Sequence, residues 1–351
     1  MNLGGNFRKK VNVFNEISID GCTRCQLRCP DCPRVLGRHG GVVGDGYLRF
    51  ENYKKIIDDN REIKRVYLEN RGEIFLNPEF TEIMSFSHEK NIDLIIPGGT
   101  NLNNLPAGTL EGVVKFRVKR ILCSIDGATP ETYKKYRVGG DFNKVIENVC
   151  AINVYKKQYR SEFPKLKWQF VVFGHNEQEL PLARKMANEL NMAFSPKLAW
   201  NSNYSPVRDK AFVMRQTGWP AVTREEYAKV VGYEYMRYIC YSLWRYPRIN
   251  WDGKLLGCCD NIWKEFEGNV FRDGYEFCYN SPKINYARKM LLGEVPLRED
   301  IPCASCKYYL RMQEARKFLT MGEVFPRSLF LQRASKRIYE IASRIRKPWS
   351  G

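Results

Sequence analysis

The stretch GCTRCQLRCPDCPR, residues 21–34, sets Cys25, Cys29 and Cys32 in a C-x3-C-x2-C pattern directly after an apolar, β-branched run at Asn15–Asp20. Three thiols so close together can wrap one soft metal centre. A loop leaving the C-terminal end of a first strand also lies where α/β barrels build their active sites. Downstream, short β-rich runs at Arg65–Leu68, Asp93–Ile96, Arg120–Ile125, Lys167–Phe173 and Met192–Leu198 alternate with amphipathic stretches at Glu51–Asp59, Glu79–Lys90, Asp141–Lys157 and Glu177–Leu190. This alternation is the signature of βα units around a parallel sheet. Six such units predict a partial (β/α)6 TIM-like barrel, since a full eight-unit barrel takes about 250 residues.

The chain has 351 residues, 44% apolar, 13% aromatic and 27% charged, enough apolar side chain to bury a core. No run approaches the length of a membrane span, and the first fourteen residues, MNLGGNFRKKVNVF, lack the apolar region of a signal peptide. The expected location is therefore the cytoplasm. Fifty-seven Lys and Arg against 39 Asp and Glu give a net charge of +18, a field that favours acidic partners. In a reducing compartment, twelve cysteines point to metal or redox chemistry in place of a disulfide framework.

Ten of those cysteines fall in two regions: Cys22, Cys25, Cys29 and Cys32, then Cys240, Cys258, Cys259, Cys278, Cys303 and Cys306. Between them, the turn-rich segment 201–219 reads as a linker or active-site loop. RINWDGKLLGCC, residues 248–259, is a β-hairpin signal turning at Asp252-Gly253. Ser328–Lys347 places Leu331, Ala334, Ile338, Ile341, Ala342 and Ile345 at helical spacing against a basic face, suited to packing on the barrel or to peripheral contact with an anionic membrane surface. The expected organisation is a partial barrel at 1–200, a linker and active-site loop region at 201–239, a cysteine-rich domain at 240–310 and a basic helical segment at 311–351. The first cluster itself reads in two ways, as three ligands of a four-iron cluster with one iron open, or as a zinc knuckle recruiting Cys22.

A C-x3-C-x2-C loop after the first strand of such a chain resembles the radical S-adenosylmethionine (SAM) enzymes. The resemblance implies that Cys25, Cys29 and Cys32 hold a [4Fe–4S] cluster whose open iron chelates SAM. An electron from that cluster then cleaves the sulfonium to a 5′-deoxyadenosyl radical, which abstracts hydrogen from substrate. Further residues follow in order at successive strand ends. In LENRGEIFLNP, Gly72-Glu73 stands where the family has a Gly-Gly-Glu motif for the SAM amino group, with Arg71 in place of the first glycine. PGGTNLNNL is similar to the family's Thr-Asn turn, giving Thr100 and Asn101. CSIDGATPETYKKYRVGGDF resembles a subgroup pattern that makes Ser124 and Asp126 polar SAM contacts and Arg137 a partner of its carboxylate. FVVFGHNEQEL matches a turn near the adenosine moiety, giving Asn176.

In the second region, a hairpin plus the Cys303-x2-Cys306 pair also describes a zinc ribbon. After a radical SAM barrel, however, Gly253-x4-Cys258, Glu267-Gly268-Asn269-Val270 and a later CxxC resemble the SPASM/twitch extension. That resemblance implies one auxiliary [4Fe–4S] cluster on Cys240, Cys258, Cys303 and Cys306, acting as an electron relay, with Cys259 as an alternative to Cys258. Cys22, Cys259 and Cys278 are candidate hydrogen-atom donors to a substrate radical. Cys123 and Cys150 read as core residues, and His39, His88 and His175 match no metal-binding spacing.

A relay cluster implies oxidation of a small polar substrate, sugar-like or aminocyclitol-like, with a low-potential electron donor of the flavodoxin or ferredoxin type. The alternatives are a radical epimerase, a peptide (RiPP) maturase, a nucleic-acid-modifying radical enzyme and, outside catalysis, a zinc-stabilised nucleic-acid-binding protein.

Overall fold

Strands β1 (Glu16–Cys22), β2 (Arg65–Asn70), β3 (Asp93–Thr100), β4 (Arg120–Ser124), β5 (Lys165–Val172) and β6 (Met192–Leu198) pair in parallel, each with its predecessor in the chain. Two further short strands, β7 (Arg248–Ile249) and β8 (Leu255–Gly257), complete one sheet in the order β6-β5-β4-β3-β2-β1-β7-β8. The computed structural model describes residues 15–39 and 41–325, so the N-terminal fourteen residues and the basic helix expected at 328–347 lie outside the described residues. Contacts divide the chain into two units, Met1–Ile284 and Asn285–Gly351. The sheet belongs to the first.

The crossovers are α1 (Phe50–Asp59), α2 (Phe80–Glu89), α3 (Thr109–Lys115), α4 (Pro130–Tyr136), α5 (Phe142–Gln158) and α6 (Leu180–Glu189). This is the partial (β/α)6 barrel expected from the sequence, with its sheet unclosed. Two short helices, α3 and α4, were not legible in the periodicity, because seven residues give only two turns of pattern. The segment expected as linker contains α7 (Lys210–Thr217), started by Asp209 accepting from Phe212 N and ended at left-handed Gly218. It is followed by α8 (Arg224–Val231), capped by Thr223. The hairpin at 248–257 does not stand apart from the barrel sheet. Its first strand adds in parallel to β1 (Ser18 opposite Arg248, Ile19 opposite Ile249), and β8 folds back antiparallel. At the other edge, β6 carries Pro196, paired opposite Phe170, a residue tolerated in sheets at edges.

Strand parity separates two faces. Ile17, Ile19, Val66, Leu68, Leu94, Ile96, Ile121, Cys123, Leu166, Trp168 and Phe170 are buried and form the helix-facing core. The strand register puts Ser18, Tyr67 and Ile95 on the opposite, concave face, together with Asp20 and Glu69. Leu122, Ser124, Lys167, Gln169, Ser195 and Lys197 continue that face across β4 to β6. Parallel strands buried on both sides are ordinarily apolar throughout. Here the inner face is polar and charged, which marks it as a binding surface.

Charge on that face is organised around Asp20, which is fully buried. Arg248 of β7 clasps it through Nε at 3.0 Å and through a second contact from Nη2. Arg71, just beyond β2, donates from Nε at 3.3 Å. Arg248 also reaches Glu69 Oε2 at 3.2 Å, and Arg71 Nη2 donates to Asn261 O at 3.0 Å. Burial by itself would raise the Asp20 pKa, but Arg248 and Arg71 outweigh it and hold the carboxyl below 3.8. Removing one member of such a pair leaves buried charge uncompensated, at about 3–5 kcal/mol. Asp20→Asn is therefore expected to lower the unfolding free energy by about 3 kcal/mol at neutral pH, read by urea denaturation. Because the folded carboxyl titrates below its ordinary value, the wild-type advantage persists at neutral pH and fades only as the pH falls beneath 3.8.

Candidate functional site

The cysteine loop leaves β1 and is tied to the turn after β2. Gly72 N donates to Cys22 O at 3.1 Å, and Glu73 N donates to Arg24 O at 2.7 Å. A Cβ at Gly72 would stand 2.2 Å from Arg24 O and 2.4 Å from Thr23 C, both backbone atoms that cannot swing away. Only glycine lets the two strand ends approach this closely. Gly99, at the end of β3, has φ +85, and a Cβ there would meet Ser124 Oγ at 2.3 Å.

Cys25, Cys29 and Cys32 share one packing cluster with Leu27, Tyr136, Val171, Phe173, Ala199 and Tyr204. Tyr136 and Phe173 rings lie 4.5 Å apart, and Tyr204 meets both edge-on. Asn101 Nδ2 approaches Cys25 Sγ at 3.6 Å, and Arg137 Nη1 approaches Cys29 Sγ at 3.7 Å. Burial pushes the Cys25 thiol up to about 12, and burial also raises Cys29 against the opposing charge of Arg137. These thiols stay protonated until a strong positive centre arrives, so metal loading must release protons. Among the described residues no three Cys, His, Asp or Glu converge as one metal ion requires. A four-iron cluster instead needs one thiolate on each of three irons, and a loop of three spaced thiols suits it. Cys22, the extra ligand of the zinc-knuckle alternative, ends β1 fully buried, its Sγ donating to Arg24 O at 3.7 Å.

Glu73 is 1% exposed. It accepts from Asn101 N at 2.5 Å and Phe75 N at 3.4 Å, and it makes no ion pair among the described residues. Burial, only partly offset by those N–H groups, lifts its pKa to about 7. Thr100 is buried beside it, with Oγ1 3.4 Å from Leu122 O. Asn101 Oδ1 accepts from Gln26 Nε2 at 3.0 Å, joining the third strand's end to the cysteine loop.

The remaining expected residues come to the same end of the sheet, some with their polar atoms already committed. Ser124 Oγ accepts from Gln169 Nε2 at 3.2 Å. Asp126 accepts from Val171 N at 2.7 Å through Oδ1 and pairs with Arg137 Nη2 at 2.6 Å through Oδ2. Asn176 accepts from Phe173 N at 2.7 Å and donates to Asp126 O and Val171 O, a staple between the ends of β4 and β5. Arg137 is thus held by this protein's own carboxylate, and its pKa rises because Asp126 outweighs the effect of burial.

Of the later cysteines in the first unit, Cys240 is buried in the turn Arg237–Tyr241, and Cys258 follows β8. Ser242 Oγ lies 2.8 Å from Gly257 O, linking these two segments. Asn261 Nδ2 fixes the loop after Cys258 through Leu256 O and Lys264 O. Cys278 is fully buried in Tyr275–Tyr279. Cys259 is exposed, and its thiol is raised by burial against the opposing charge of Arg248. Of the three candidate hydrogen donors it alone is accessible. In the second unit, Cys303 sits in the turn Pro302–Ser305, and Cys306 N closes on Cys303 O at 3.0 Å before helix Lys307–Glu314.

Sequence reading missed the Asp20 network and the Gln169–Lys197 pair. The signal was present: Asp20, Glu69, Gln169 and Lys197 are polar positions inside strands whose alternate residues are core.

No family model matches the chain. It is 27% identical over 168 residues to the AdoMet-dependent heme synthase of Methanosarcina barkeri, covering 47% of this chain and 45% of that protein. It is 24% identical over 334 residues to the antilisterial bacteriocin subtilosin biosynthesis protein AlbA of Bacillus subtilis, covering 84% and 67%. The chain thus spans about half the length of the first relative. Its fold is similar to that of Streptococcus suis SuiB in the crystal structure bound to S-adenosylmethionine, with a TM-score of 0.57 at 14% identity over 84% of this chain and 71% of SuiB.

Gly72→Ala is expected to pry the cysteine loop from the Glu73 turn. Less than half the wild-type iron should be retained after anaerobic reconstitution, while circular dichroism still reports a folded α/β chain. Two matched relatives and strand-end residues that follow one another in order on this sheet make the chain similar to the radical SAM enzymes, with a C-terminal region that resembles the SPASM/twitch type.

Proposed function

We propose that the chain cleaves SAM reductively at a cluster on Cys25, Cys29 and Cys32, and that the 5′-deoxyadenosyl radical so supplied removes hydrogen from a polar substrate lying on the concave face, oxidising it. The observation that carries this reading is a buried carboxyl, Glu73, that makes no ion pair among the described residues and shares Asn101 with Cys25, one of three thiols in a single packing cluster. An ammonium is the complement such a carboxyl lacks.

In this reading Glu73 accepts the SAM ammonium, and the backbone N–H groups of Asn101 and Phe75 aim its oxygens. Thr100 and Asn101 shape the adjoining turn. Ser124 offers its hydroxyl from the end of β4. Asp126, Arg137 and Asn176 act as positioning residues, locking β4 to β5 and setting a guanidinium beside Cys29. Tyr136, Phe173 and Tyr204 keep water from the thiols. The electron would come from a low-potential donor of the flavodoxin or ferredoxin type, and cysteines outside the first loop would hold a second cluster able to take the substrate radical's remaining electron as a proton leaves.

A peptide substrate is favoured by the match to AlbA, named for bacteriocin biosynthesis, along 84% of the chain. A sugar-like or aminocyclitol-like substrate is the second reading, supported by the polar concave face with Tyr67, Glu69, Gln169 and Lys197. Return of a hydrogen atom from Cys259 would make the outcome epimerisation.

Anaerobic protein should carry about eight irons, falling to about four in the triple variant Cys25→Ala/Cys29→Ala/Cys32→Ala. With SAM and dithionite, only the wild type should form 5′-deoxyadenosine. Absence of SAM cleavage by iron-replete wild type would end this reading.

Glu73 gives a pH signature. Below its pKa of about 7 the carboxyl is neutral and cannot attract an ammonium, so SAM affinity should rise with pH through 7. Calorimetry should find binding about tenfold tighter at pH 8 than at pH 6. Glu73→Gln should bind weakly at both.

A further inference from the structure

We propose that the outer face of the cysteine loop is a docking surface for an acidic electron-carrier protein, received by Arg28, Arg34, Arg38, Lys134 and Lys135. This deepens the function proposed above and rests on it, since the partner is the donor of the single electron which that chemistry consumes. The surface is built from two neighbouring turns. After Cys32 the chain turns back on itself, with Leu36 N donating to Cys32 O at 3.0 Å and Arg38 N to Pro33 O at 2.8 Å. The turn that follows α4 is tied to the same loop, because Arg28 N donates to Val138 O at 2.9 Å.

Two properties set this face apart. Large aliphatic side chains stand in the open, with Val35 41% exposed, Leu36 45% and Val138 40%. Grouped on adjoining turns and rimmed by polar residues, they have the character of a contact surface. The charge around them is also unmatched. Elsewhere exposed cations pair with a nearby acid, as Lys54 does with Asp58, Lys144 with Glu147 and Lys210 with Glu226. Arg28, Arg38, Lys134 and Lys135 are exposed and, like half-buried Arg34, make no ion pair among the described residues. The acids in these two segments are Asp31, which accepts from Asn201 Nδ2 at 3.1 Å, and Glu131 in the first turn of α4. An apolar centre with a basic rim steers an acidic partner in from a distance and holds it on a small contact, as transient redox encounters require.

The thiols decide which acidic partner this is. Arg28 directly precedes Cys29, and Arg34 lies two residues past Cys32. Cys32 is half-buried where Cys29 is buried, and Tyr136, Phe173 and Tyr204 pack against the same thiols from other elements. Electron transfer falls off steeply with distance, so a carrier must come to rest on the surface nearest the thiols, and this surface belongs to the loop that bears them. The carrier is oxidised by one electron, the cluster site is reduced by one, and no atom changes hands. An anionic membrane answers the same charge but has no electron to give.

The test uses anaerobic holoenzyme with a bacterial flavodoxin as the probe. Zero-length carbodiimide coupling of the wild-type pair, read by mass spectrometry, should join flavodoxin carboxylates to Lys134 or Lys135 in preference to Lys185, whose side chain is 73% exposed. Arg38→Glu/Lys134→Glu should weaken flavodoxin binding about tenfold in biolayer interferometry at low salt. The same variant should lose SAM cleavage driven by flavodoxin hydroquinone and keep cleavage driven by dithionite, a small reductant that needs no docking. Should the variant lose its iron, the wild-type cross-links decide alone. Cross-links spread evenly over exposed lysines, or binding unchanged in an iron-replete variant, would overturn the proposal, as would a face that binds phosphatidylglycerol vesicles and not flavodoxin. Dithionite-driven formation of 5′-deoxyadenosine by the wild type reports on the radical chemistry without the partner, so the two readings fail independently.

Discussion

One buried carboxylate organises the first unit. Asp20 sits at the C-terminal half of the first strand with no exposure, between guanidiniums from β7 and from the residue after β2. Four charges, two of each sign, hold one another inside a sheet that would otherwise have to be apolar there. The network secures the hairpin to β1. Through Arg71 and Asn261 it also fixes the loop that follows Cys258 and Cys259. The departure from the family's glycine at position 71 thereby acquires a physical reason: a glycine could not bridge the end of β2 to that loop.

How much of this was legible depended on how local the determining physics was. The six parallel strands were readable because each is a short apolar run bracketed by turn residues. The cysteine loop was readable because three thiols in eight residues have few bland explanations. Short helices such as α3 were not, because capping and tertiary packing decide them. The attachment of the hairpin to β1 was invisible for a different reason: it depends on Arg248 meeting Asp20, 228 residues apart in the chain. At the site, residue identities came from pattern, whereas the commitment of Asn176 to three backbone groups emerges only when the ends of β4 and β5 are brought together.

The electrostatics of the mouth divide labour between protein and ligand. Neutral, buried thiols and a carboxyl poised near 7 are costly to ionise in the bare protein. Bound cations relieve that cost, so the site is completed by what it binds. Where the protein needs a fixed charge, as at Asp126 and Asp20, it supplies the arginine itself.

The proline in the edge strand has a bearing on recognition. A parallel sheet with an open seam invites an extended chain to dock as one more strand, held by backbone hydrogen bonds that are indifferent to sequence. Pro196 deprives β6 of a backbone donor at its middle and interrupts any such ladder. A peptide approaching that edge would have to be gripped by its side chains, which would make selectivity a property of the inward-facing residues and not of the seam.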